Sequence, residues 1–381
     1  MSQILPDHPV DIRHRLPPLP ALTSVRFFAA IYVIVFHFEL QSSLNSFPLL
    51  QQFILSGYTG VTLFFVLSGF ILAYNYSSRS SAKNFWIARF ARVYPVYFIS
   101  LILALLLLAI GHRIPHPMAL ATHSLLSFAL IQSWIQNSGN MINPPSWTLS
   151  VEAFFYALFP ILILFAHRIR MRWFLVLQIF YLLLLCLPWL LAAAHHPSPF
   201  AQGIFDQYEG VFAPFRLNTF FVGVWIGVQY RRSVEGRPGP LSGSRHRRIL
   251  TLALVAGAIG SLILLCLGPQ QVAPPIRTTL LTYTFGWLLV GLAENRSRFL
   301  NSHVMQMGGE ISYGMYILHY PIGLVLEHVL RPFHLSPVEN LPLFLSILIF
   351  AAYLTFRWFE VPARLFLRRT LTGKPVPVRP I

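Results

Sequence analysis

Apolar residues run along this chain in long unbroken stretches separated by short polar or proline-containing segments. They fall at about residues 22–40, 55–76, 94–111, 146–167, 173–194, 212–230, 249–267, 276–293, 311–330 and 341–359. Each approaches the roughly 20 residues that a helix, rising about 1.5 Å per residue, needs to cross about 30 Å of hydrocarbon. The pattern predicts an all-α, polytopic transmembrane helical bundle of about ten spans. Residues 22–360 then form one membrane domain, with residues 1–21 and 361–381 as cytoplasmic tails. One further apolar stretch, Met118 to Trp134, is a candidate eleventh span.

Charge decides that case. Only 10% of the residues are charged, 55% are hydrophobic, and the mean hydropathy is +0.61, which excludes an ordinary soluble domain. The net charge of +16 raises the question of nucleic acid, but the basic residues sit in short clusters between apolar runs and not on one soluble face. The positive-inside rule accounts for them, and no nucleic-acid partner is expected. With ten spans, 22 of the 28 lysines and arginines lie on one side, against Arg113, Arg277 and Arg331 flanking the other. Both termini are then cytoplasmic. A full crossing at Met118–Trp134 would carry Arg168, Arg170 and Arg172 outside, so that stretch is expected to be interfacial or re-entrant.

The first apolar run follows Pro17, Pro18 and Pro20 and lacks a small-residue cleavage site, so it is expected to remain as the first span. Cys186 and Cys266 lie singly inside apolar runs, and neither a disulfide framework nor a metal site is expected. The stretch from Ser233 to Ser244 reads as a linker, and no internal repeat is evident.

Ionisable residues inside the spans carry the candidate chemistry, because the cost of desolvating them demands a partner or a cavity. Arg26 and His37 lie eleven residues apart on the first span. At about 100° per residue they share a face to within about 20°, displaced by about 16 Å along the axis. Arginine snorkelling and a histidine bonded to a neighbouring backbone are the bland alternative. In the second run, Ser68 and Gly69 read as packing residues that let helices approach. Arg89 and Arg92, followed by Tyr94, Pro95 and Tyr97, sit where either positive-inside flanking or a cytoplasmic phosphate site would place them.

The segment NPPSWTLSVEAFFYALFP brings Ser146, Trp147, Ser150 and Glu152 into the non-cytoplasmic half of a span. Glu152 must be neutralised, paired or opened to water there, as a structural or a functional group. In GGEISYGMYILHYPIG, Tyr313, Tyr316 and His319 recur every three residues along one helical face. Arg216, early in the sixth span, is a candidate counter-ion for a carboxylate.

Taken in order, these segments resemble the acyltransferase-3 family of integral membrane O-acyltransferases over nearly the whole chain. The shared motifs are arginine, ten residues, histidine (Arg26, His37); FFxLSGF (Phe64 to Phe70); an arginine-rich stretch ending in PxY (Arg89, Arg92, Pro95, Tyr97); SWTLSVE (Ser146 to Glu152); and SYxxYxxHxP (Ser312 to Pro321). The resemblance implies O-acyl transfer from cytoplasmic acyl-CoA, with acetyl-CoA the expected co-substrate and no permanently bound cofactor. A carbohydrate hydroxyl, as in an exopolysaccharide, lipopolysaccharide or other glycan, is the implied acceptor, and a bacterial-type inner membrane the implied location. Many relatives carry a further C-terminal SGNH-type hydrolase domain. Residues 361–381 are too few to form one, so any such activity is expected from elsewhere or not at all.

On this reading His37 is the general base, because its unperturbed pKa of about 6.5 lies near working pH. Glu152 would orient the imidazole if the two helices meet. Arg26, Arg89, Arg92 and Tyr97 are expected at the donor, and Ser146, Trp147, Tyr313, Tyr316 and His319 on the acceptor side. A proton-coupled transporter or exporter is the rival, since it uses intramembrane His, Glu and Arg as well. A non-catalytic scaffold would have little reason to keep so many ionisable groups at depth.

Overall fold

Prolines placed at the first helical positions start several of the helices, where a missing N–H costs nothing. In a computed structural model of the chain, residues 16–38, 46–76, 81–111, 117–135, 142–195, 211–238, 246–267, 274–295, 297–334 and 336–373 are described. All regular structure among them is helical. Helix α1 spans Pro20–His37, and α2 (Pro48–Leu55) continues through a 3₁₀ turn (Ser56–Thr59) into α3 (Gly60–Asn75). Then come α4 (Ala82–Ile110), α5 (Pro117–Phe128), α6 (Trp147–Arg168), α7 (Met171–His195), α8 (Ala213–Val234), α9 (His246–Cys266), α10 (Pro274–Ala293) and α11 (His303–Leu330). Helix α12 (Pro337–Thr355) runs through a π-helical turn (Phe356–Glu360) into α13 (Val361–Thr372).

By length and composition, six helical segments among the described residues suit a membrane crossing: Pro20–His37, Pro48–Asn75, Ala82–Ile110, Pro144–Arg168, Pro275–Ala293 and Pro337–Thr372. The protein is therefore an integral membrane protein, helical in its regular structure throughout the described residues. Helix α4 begins at Ala82, well before the apolar run expected at 94–111, because the Ser81 side chain caps it by accepting from the Asn84 N–H. Arg89 and Arg92 consequently stand on a helix and not in a loop. Helix α11 likewise starts at His303, capped by Ser302. Arg13, Arg15, Arg79, Arg113, Arg296 and part of the expected linker, residues 239–244, lie outside the described residues.

Contacts fix the relative directions of the helices. Thr23 meets Gly309 and His37 meets His319, so α1 and α11 run parallel. Arg92 meets Glu310 and Ser100 reaches Ile317 through Asn143, so α4 runs parallel to both. Helix α3 opposes α1: Gly60 lies against Val33, and Tyr74 donates to the Pro17 carbonyl. Helix α6 opposes α4, with Trp86 donating to the Tyr156 carbonyl at one end and Asn143 bonded to Ser100 at the other.

That antiparallel pair settles the path between them. A crossing by α5 would make α4 and α6 parallel, so the 117–135 segment enters and returns. Twelve residues of helix rise about 18 Å, short of a crossing. The return follows Leu130, whose φ is 58°. Buried polar bonds hold it: Tyr97 Oη donates to the Ser127 carbonyl (2.7 Å), Gln132 Nε2 donates to Tyr97 Oη (3.1 Å) and the Ser146 carbonyl (3.0 Å), and Ser133 meets Ser150 (2.7 Å). Irregular backbone at this depth survives only inside protein.

The most extensive packing joins α3 to α8. A Cβ at Gly69 would fall on the Phe220 carbonyl oxygen, and one at Gly223 on that of Val66. Gly69 thus has the packing role expected of it.

Candidate active site

Two cavities lie along the face shared by α1 and α11. The first, of about 120 Å³, draws its polar lining from five helices: Arg26 (α1), Ser68 (α3), Arg89 and Arg92 (α4), Glu152 and Tyr156 (α6), and Ser312, Tyr313 and Tyr316 (α11). Glu152 accepts hydrogen bonds from the hydroxyls of Tyr156 and of Ser68, the latter at 3.2 Å. Arg92 pairs with Glu310 at 3.6 Å. Arg89 packs over the Phe85 ring at 5.9 Å, and its Nε is buried without a hydrogen-bond partner. Tyr313 donates to the Val93 carbonyl (2.6 Å), which ties α11 to α4 directly behind the arginines.

The second cavity, of about 650 Å³, is lined by His37, His319, Tyr320, Glu327, Arg331, His334 and Asn340, with apolar walls that include Ile34, Phe38 and Phe344. His37 Nδ1 lies 2.9 Å from the Val33 carbonyl oxygen. A carbonyl only accepts, so the proton of the neutral imidazole resides on Nδ1 and Nε2 keeps its lone pair. His319, 4% exposed, is fixed the same way by the Tyr316 carbonyl at 2.6 Å. The two imidazole rings are 5.0 Å apart.

One turn of α11 separates the cavities. Tyr316 lines the first and His319 the second, with their rings 5.9 Å apart. Tyr316 also meets Phe64 edge-on at 6.0 Å and donates to the Pro145 carbonyl at 3.1 Å.

The chain matches the acyltransferase-3 family over residues 19–356, a region described as an acyltransferase domain. The chain belongs to this family. Among curated relatives, it is 27% identical over 326 residues to the acyltransferase MdmB of Streptomyces mycarofaciens, covering 81% of this chain and 80% of that protein. It is 24% identical over 338 residues to the O-acetyltransferase OatA of Staphylococcus aureus, covering 80% of this chain but 50% of that protein. The chain thus spans about half the length of that second relative. No solved structure matches it. The family makes this an acyl-transferring enzyme, which sets aside the transporter and scaffold readings.

Several of the acyltransferase residues expected from sequence come together, and others do not. Arg26, Arg89, Arg92, Glu152, Tyr313 and Tyr316 share the arginine cavity, while His37 and His319 share the other. The expected pairing of Glu152 with His37 is not formed. Gln132 and Ser133 of the returning segment bond Ser146 and Ser150 at the start of α6, and Glu152 shares its cavity with Arg89 and Arg92 from the first half of α4. Tyr313 and Tyr316, expected beside His319 at the acceptor, line the arginine cavity instead. Tyr97, Ser146 and Trp147 line neither cavity: Tyr97 and Ser146 bond within the returning segment, and Trp147 packs against Phe65. Arg216 is also outside both linings.

Sequence reasoning gave Ser68 only a packing role and passed over Tyr156 and Glu310. Tyr156 carried a signal, standing four residues after Glu152 and hence on its face. Arg277, expected at an external flank, is 2% exposed and bonds Tyr58 Oη (2.9 Å), Ser56 Oγ (2.6 Å) and the Leu264 carbonyl (3.2 Å), clamping α9 and α10 to the 3₁₀ turn.

Proposed function

We propose that this enzyme moves an acyl group, acetyl being the expected one, from acyl-CoA to a hydroxyl of a carbohydrate acceptor in a bacterial-type inner membrane. The observation that carries this reading is the single turn of α11 between a cavity rich in guanidinium groups and one lined by the paired imidazoles of His37 and His319 together with His334. Three arginines against two carboxylates, Glu152 in the lining and the Glu310 that pairs with Arg92, leave an excess of positive charge in a low-dielectric site that calls for an anion, and diphosphate is a natural one. The donor's phosphates bind Arg26, Arg89 and Arg92, and its pantetheine arm runs past Tyr316 over the roughly 16 Å that separates Arg26 from His37.

In the reaction the acceptor hydroxyl oxygen attacks the thioester carbonyl carbon while its proton passes to His37 Nε2. The C–S bond then breaks, and the departing thiolate takes that proton from His37 to leave as coenzyme A. Glu152 acts on the donor side, as the counter-charge that lets three arginines converge. The acceptor occupies the histidine cavity, where a sugar hydroxyl has His37 Nε2 to meet. Ten crossings with both termini on one side are supported by the parallel course of α1, α4 and α11 and the opposed course of α3 and α6, and the excess of basic residues on that side makes it the cytoplasmic one. Both courses follow if successive spans alternate and the 117–135 segment returns.

Purified enzyme in nanodiscs, radiolabelled acetyl-CoA and glycans extracted from the native host test the proposal. Label should appear on the glycan and fall by about 10²- to 10⁴-fold with His37→Ala, the range of general-base loss. Transfer at the parent rate by a correctly inserted His37→Ala protein would remove His37 from the chemistry.

A further inference from the structure

Outside the two cavities, basic side chains of the last helix gather near the α4 arginines that line the first cavity. Helix α13 packs along α4, brought back onto it by the π-helical turn at Phe356–Glu360, and π-turns frequently mark functional sites. Arg364 and Arg368 are four residues apart and share one face of α13. Both are half-buried, whereas the adjacent Arg369 is exposed. Arg368 stands within electrostatic reach of Arg89, and Arg364 within reach of Arg92. The carboxylates facing this group are Glu310, paired with Arg92, and Glu360, which is 1% exposed with a buried, unpartnered Oε1. With Glu152 these give three carboxylates against five guanidinium groups. The excess is positive, and two of the five cations lie on an element no motif covers.

We propose that Arg364 and Arg368 form a second phosphate subsite beside the arginine cavity, which takes the 3′-phosphate of the donor's adenosine. The inference rests on the coenzyme A reading above. A coenzyme A thioester carries two phosphate centres, a diphosphate leading to the pantetheine arm and a monophosphate on the ribose. Arg26, Arg89 and Arg92 face inward to meet the first, and a pair of fork-shaped guanidinium groups one layer further out suits the second. The subsite would let the enzyme select coenzyme A thioesters over thioesters carried on phosphopantetheine alone, which lack that monophosphate.

The test is binding of acetyl-CoA and of acetyl-3′-dephospho-CoA to the enzyme in nanodiscs of zwitterionic lipid. The parent protein is expected to bind acetyl-CoA at least about tenfold more tightly, as one or two charge-assisted contacts warrant. The Arg364→Gln/Arg368→Gln double variant should bring the two donors within about twofold while leaving affinity for the dephospho donor unchanged. Arg369→Gln should keep the full preference. Equal binding of both donors by the parent, or a preference that survives in the double variant, overturns the proposal. So does a double variant that keeps the preference but no longer responds to anionic lipid, which would assign the pair to lipid headgroups. Failure of the parent to bind either donor would instead defeat the coenzyme A reading itself.

Discussion

The imidazoles of His37 and His319 face each other at 5.0 Å, and each is held by its Nδ1 to a carbonyl of its own helix, so that both Nε2 atoms are hydrogen-bond acceptors. The backbone, and not a carboxylate, sets the tautomer of His37. This gives Glu152 a different task from the one its sequence suggests, and it makes the two tasks separable by experiment.

Glu152→Gln retains an oxygen to accept from Tyr156 and Ser68 but removes the counter-charge beneath Arg26, Arg89 and Arg92. The expected result is a lower Tm without donor, and a larger gain in Tm on adding acetyl-CoA than the parent shows, because the anion then supplies the missing charge. The acid limb of the pH–rate profile should stay where the parent has it. Thermal unfolding with and without donor, beside rates measured from about pH 5 to 8, checks both statements. A displaced acid limb would return Glu152 to the imidazole.

Arg89→Gln and Arg92→Gln are each expected to weaken acetyl-CoA binding about tenfold or more, the worth of one charge-assisted hydrogen bond. Arg92→Lys should restore little, since an ammonium cannot bridge Glu310 and a phosphate with a planar fork. Equilibrium binding at two salt concentrations measures the loss, and the variants should show a shallower salt dependence.

Much of this was legible from residue type, and most of its misreadings share one physical origin. Arg26, Arg89, Arg92, Glu152, His37 and His319 stand out in sequence because ionisable groups in apolar runs need partners. Their grouping into two cavities depends on the depth at which each helix starts, which hydropathy does not encode. The returning segment sets the starting depth of α6, and its own anchor, Gln132, lies in a stretch whose apolar character hides the polar bonds that hold it. Ser68 reads as a packing residue for another reason: a small residue in an aromatic run serves packing equally well, and only its neighbour across the helix interface identifies its bond to Glu152.

Gln132→Leu tests the returning segment apart from the chemistry. Gln132 is fully buried and donates to Tyr97 Oη and the Ser146 carbonyl, so leucine leaves both acceptors without that donor. A cost of about 1–3 kcal/mol is expected. Affinity for acetyl-CoA should be unchanged, because none of these residues lines the arginine cavity. Denaturation in mild detergent paired with donor binding separates the two effects.

Gly223→Ala tests the crossing that holds Ser68 and Phe64 in place. The added Cβ would fall on the Val66 carbonyl oxygen, a backbone atom that cannot swing aside, so α3 and α8 must part. Overpacking of this kind costs about 1–3 kcal/mol and should lower Tm. Parting the pair also draws Ser68 away from Glu152, so donor affinity should fall together with stability, unlike the outcome for Gln132→Leu. Gly69→Ala strikes the same crossing from the other side, against the Phe220 carbonyl, and the double variant should lose less than the sum of the two, because one separation relieves both clashes. Strict additivity in Tm would mean that the two glycines act at independent contacts and that the crossing does not move as a unit.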